Sequence, residues 1–73
     1  MTITLSKDEK TQIVESHIKN LAVNKYNITL SLLEENSKTT PDQNAISNYN
    51  EQSSNIDKQI TALNAELASI TAE

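Results

Sequence analysis

From Ile46 onward the apolar residues fall into step. Ile46, Tyr49, Ser53, Ile56, Ile60, Leu63, Leu67 and Ile70 are separated alternately by three and four residues without a slip. This is the a/d seam of a coiled coil, with Ile46, Ser53, Ile60 and Leu67 at a and Tyr49, Ile56, Leu63 and Ile70 at d. A stripe of this kind must be covered by another helix, so it excludes most folds before any other residue is read. Thr40-Pro41-Asp42-Gln43 precedes it. Thr40 as cap, Pro41 at the first helical position and Gln43 closing a capping box predict a helix over 41–72.

The first half of the chain supplies a matching helix. Ser6-Lys7-Asp8-Glu9 is a capping box. Val14, Ile18, Leu21, Ile28 and Leu32 then follow the same three-and-four spacing, with Lys25 filling the position between Leu21 and Ile28. The expected helix covers 6–36, ending near Asn36 in a left-handed cap. Residues 1–5 form an extended arm and 37–40 the connection. A loop this short makes the helices antiparallel neighbours. The expected fold is an all-α antiparallel two-helix hairpin of coiled-coil type, one domain over 1–73, assembling with further copies into a multi-helix bundle.

Aligning the two seams predicts Val14 opposite Leu63, Ile18 opposite Ile60, Leu21 opposite Ile56, Ile28 opposite Tyr49 and Leu32 opposite Ile46. Lys25 and Ser53 then form a polar layer, with Lys25 reaching past the small serine to water. One competing pattern lies at Tyr26–Leu32, where apolar and polar residues alternate as in a strand. No segment offers a convincing third strand, and a lone two-stranded pairing is marginal.

Composition narrows the function classes. The 73 residues include no cysteine, no glycine, one histidine and one proline, and the net charge is −4. Disulfides and thiolate metal sites are excluded, and a glycine-rich phosphate loop is excluded with them. No arginine is present, and neither a basic stripe nor a set of stacking aromatics marks a nucleic-acid binder. Met1–Leu5 lacks the basic region and long apolar core of a signal peptide, and no run is long enough to span a membrane. The expected location is the cytoplasm of the producing cell, or a virion.

The search for chemistry returns nothing usable. His17 has Ile13 and Leu21 four residues to either side, so its own helix offers no orienting carboxylate. Glu34 and Glu35 are adjacent at a helix end and diverge by about 100°, which does not make a paired-carboxylate site. Asn27-Ile28-Thr29 matches a glycosylation acceptor but falls inside a predicted helix. No catalytic, cofactor-binding or metal-ligating residue is expected.

A second apolar stripe remains. Val23, Tyr26, Leu30 and Leu33 follow helical spacing on the face of the first helix away from its seam. A hairpin buries one stripe per helix, so this one predicts an oligomer or partner face. Small residues at Ala62, Ala65, Ser69 and Ala72 form a lesser stripe on the second helix.

Several segments resemble small proteins of unassigned function encoded by marine cyanobacterial viruses. They are Leu5-Ser6-Lys7-Asp8-Glu9, Lys25-Tyr26-Asn27 followed by Leu32-Leu33-Glu34-Glu35-Asn36, and Ile60 through Leu67. The resemblance implies a phage protein, built into virions or acting on the host, and carries no active-site residues. The expected function is a non-catalytic assembly protein that self-associates and attaches to a larger structure. The alternative is a small acidic regulator that binds and inhibits a host protein.

Overall fold

Ser6 starts the first helix by the expected reciprocal contacts. Its hydroxyl accepts from the Glu9 N–H at 3.1 Å, and the Glu9 carboxylate accepts from the Ser6 N–H at 2.9 Å. In the computed structural model, which describes residues 3–73, the chain forms α1 (Lys7–Asn36) and α2 (Gln43–Thr71). No described residue lies in a strand. Met1 and Thr2 of the expected arm lie outside the described residues; Ile3–Leu5 are non-helical and exposed.

The alternating stretch Tyr26–Leu32 is helical. Thr29 donates its hydroxyl to the Lys25 carbonyl at 3.1 Å, the usual way a helical threonine satisfies its oxygen. Helical neighbours on both sides override a preference that is only local.

Three sequence expectations about the connection are corrected. Asp42, not Thr40, caps α2: its Oδ1 accepts from the Asn44 and Ala45 N–H groups at 2.9 and 3.3 Å. An anionic cap also complements the positive end of the helix dipole, an advantage threonine lacks. Pro41 therefore lies before the helix, and the connection runs through Asp42 instead of stopping at residue 40. The third correction concerns the end of α1, which uses no left-handed residue; no described residue has positive φ. Ser37 caps it at φ −83°, ψ −8°, donating its N–H to Leu33 and its hydroxyl to the Glu34 carbonyl.

The helices are antiparallel. Lys10 near the start of α1 meets Glu73 beyond the end of α2, and Glu35 near the end of α1 meets Asp42 at the start of α2. The molecule is a rod of 59 × 20 × 15 Å. Its interior is a single seam. Val14, Ile18, Leu21, Lys25, Ile28 and Leu32 of α1 are half-buried, as are Ile46, Tyr49, Ser53, Ile60, Leu63 and Leu67 of α2; Ile56 and Ile70 are buried. Ile70 is the most enclosed side chain, at 1 % exposure.

The register along that seam differs from the expected one. Lys25, expected opposite Ser53, is bound by Asp57 further along α2, and Lys10 is bound by Glu73, beyond the point that the aligned seams put opposite it. Both ion pairs lie on the same side of the expected alignment, displaced by about one helical turn or a little more. The expectation placed a against a and d against d. Antiparallel helices keep a constant layer spacing only when a faces d, because reversing one helix exchanges the three-residue and four-residue steps.

Candidate interaction surface

Glu35 ties the two helices together at the loop. It is 8 % exposed, the one charged residue buried among those described. One carboxylate oxygen accepts from the Asp42 backbone N–H at 3.0 Å and the other from the Lys38 ammonium at 3.1 Å. The Asp42 N–H foremost, and then Lys38, hold its carboxyl below the usual value of 4.5, against the opposing effect of burial. Sequence reasoning considered Glu35 only beside Glu34, as an adjacent pair that does not make a paired-carboxylate site. A signal was present: Glu35 lies three residues beyond Leu32, at the next seam position, and Asp42 lies four residues before Ile46 on the other seam. Each seam, extended by one step, arrives at the clamp.

The expected pairing of Lys25 with Ser53 is not what the structure holds. Both are half-buried, but the Lys25 ammonium is bound by Asp57, one turn beyond Ser53 on α2. The stem of Lys25 covers the seam while its charge reaches a carboxylate at the edge, as long cationic side chains do. At the opposite end Lys10 pairs with Glu73 at 3.1 Å and Lys7 donates to the Glu73 carbonyl at 3.3 Å. His17 is exposed. Among the described residues no cluster of His, Cys, Asp and Glu could hold a metal ion, and no helix is long and apolar enough to cross a membrane.

The four residues of the second stripe stand in solvent. Val23 is 51 % exposed, Tyr26 64 %, Leu30 38 % and Leu33 64 %. At 100° per residue they centre about 140° around α1 from its seam, on the side away from α2. The only charged residue between Asn20 and Leu33 is Lys25, already bound by Asp57. Ala62, Ala65, Ser69 and Ala72 are also exposed, on α2. The surface thus offers an apolar, uncharged strip about 15 Å long, ten residues at the helical rise. Comparison of the chain with protein-family models, with curated proteins and with solved structures finds no match.

Proposed function

We propose that this chain is a non-catalytic assembly protein: a helical hairpin that self-associates through the Val23–Leu33 face and is built into a larger structure. The exposed stripe carries this reading. The chain exposes 5581 Å², where a compact monomer of 8.1 kDa exposes about 4,500 Å². The excess is larger than the roughly 800 Å² that a standard interface takes from each partner. A two-helix hairpin has one seam and no second layer, so a further chain is the natural source of the missing cover. The resemblance to viral proteins makes a virus particle the assembly of choice.

Sedimentation equilibrium tests the first half of the reading. The mass should rise above that of one chain with concentration, and changing Leu30 and Leu33 to Glu should return it to one chain. A wild-type protein that stays monomeric at hundreds of micromolar would overturn self-association. Recovery of the chain with capsid or tail proteins from infected cells tests the second half. Recovery with one stoichiometric host enzyme would favour a regulator instead.

A further inference from the structure

The stripe has a symmetry of its own. Its steps are three, four and three residues, from Val23 to Tyr26 to Leu30 to Leu33. Read backwards they are the same. We propose that this face pairs with the same face of a second copy turned end for end, about a two-fold axis at the level of Ile28. The inference rests on the self-association proposed above and fixes its geometry. Val23 then lies against Leu33 of the second copy and Tyr26 against Leu30, and each contact occurs twice. One spacing serves all four layers, as a facing d does within the hairpin.

Two further observations select a second copy in this orientation. The chain carries a net charge of −4, so copies repel over most of their surface. Between Asn20 and Leu33 the single charge is already neutralised by Asp57, so on this face two copies approach without that penalty. It likewise gives a charged foreign partner nothing to recognise. The flanks then decide direction. Lys19 lies four residues before Val23, and Ser37 four residues after Leu33. End-for-end pairing brings Lys19 of the second copy to Ser37, at the carbonyl end of α1, whose last turn has no basic residue of its own. A cation is favourable there. Parallel pairing would instead set Lys19 beside Lys19.

The stripe is not central on the rod; it occupies the half of α1 nearer the loop. Two rods of 59 Å joined about Ile28 are therefore staggered, with an overall length on the order of 80 Å. The α1 helices lie side by side at the centre, and each α2 lies outside.

Small-angle scattering of the wild-type protein, with spin labels placed at two exposed positions in separate variants, tests this arrangement. Asn27→Cys sits beside the axis, where helix axes about 8–10 Å apart give labels within roughly 20 Å of each other. Ser16→Cys, at an exposed position outside the proposed contact, sits far from it, with the two labels separated by at least roughly 36 Å, about twenty-four residues at the helical rise. A particle on the order of 80 Å long, with the short distance at Asn27 and the long one at Ser16, is the expected result. Short distances at both positions in a particle no longer than the single rod would overturn end-for-end pairing and leave self-association standing. So would long distances at both. A single-chain mass at every concentration would overturn both proposals.

Discussion

α1 and α2 are almost the same length, 30 and 29 residues, and each is the other's only neighbour. They are nevertheless finished to different degrees. Among the described residues every exposed large hydrophobic one lies on the arm or on α1: Ile3, Leu5, Ile13, Val23, Tyr26, Leu30 and Leu33. None lies on α2, whose Ile56 and Ile70 are buried. α2 is amphipathic in the ordinary sense, with an apolar line on one side and polar residues or alanines on the rest. α1 has apolar lines on two faces. Contact with α2 fixes the fold, and the outer face of α1 is left uncovered.

The largest expected difference comes from placing the same charge on the two helices. Ile56→Asp puts an unpaired carboxylate in the seam and should remove cooperative helicity, at a loss of roughly 3–5 kcal/mol, near the whole stability of so small a domain. Leu33→Asp, on the outer face of α1, should leave the circular dichroism of a dilute sample intact. Equal damage from both would erase the distinction between the helices. Next in size is the double change Leu30→Glu and Leu33→Glu, which should weaken self-association by about 100-fold or more, since each leucine contributes roughly 1.5–3 kcal/mol when fully covered. The wild-type melting temperature should rise with concentration and that of the double variant should not.

A smaller effect is expected at the clamp. Glu35 is held below its ordinary value by the Asp42 N–H and by Lys38, and Glu9 by Ser6. Both groups therefore contribute stability that is fully present above the ordinary carboxyl value of 4.5. That contribution disappears as pH falls through the depressed folded value. The melting temperature should drop on acidification below 4.5. Glu35→Gln should be less stable than wild type at neutral pH and converge with it in acid. A constant gap at all pH values would mean that the carboxylate charge contributes nothing at the loop. The smallest effect is expected for Lys10→Ala or Glu73→Ala. Their side chains are 36 % and 46 % exposed, and exposed pairs of this kind contribute about 0–1 kcal/mol.

What the sequence disclosed, and where it stopped, follows from the range of each signal. The seams and the Ser6–Glu9 box were legible because spacing and capping are local and repeat along the chain. The helices could be drawn without knowing how they meet. The register was not, since it depends on which step of one seam faces which step of the other, and both seams carry the same two steps. Matching like positions produced the Lys25–Ser53 layer; the structure takes Lys25 to Asp57. Thr40-Pro41 and Asp42 offered competing helix starts two residues apart, and the stronger cap prevailed. Glu35 was missed because a glutamate is ordinarily exposed, and its two partners come from the loop and the next helix. The stripe Val23, Tyr26, Leu30, Leu33 was readable as an unmatched periodicity, whereas its exposure required the partner helix to be in place.

The clamp also sets an order of events for folding. Glu35 and the Asp42 N–H are seven residues apart, Lys25 and Asp57 are 32 apart, and Lys10 and Glu73 are 63 apart. Closing the outermost contact directly from the open chain would cost about 2 kcal/mol more in loop entropy than closing the innermost. Once the hinge has formed, each further layer closes only a short additional loop. Loop entropy therefore predicts that the hairpin zips from Glu35 outward. Damage at the hinge should slow folding, and damage at the open end should chiefly hasten unfolding.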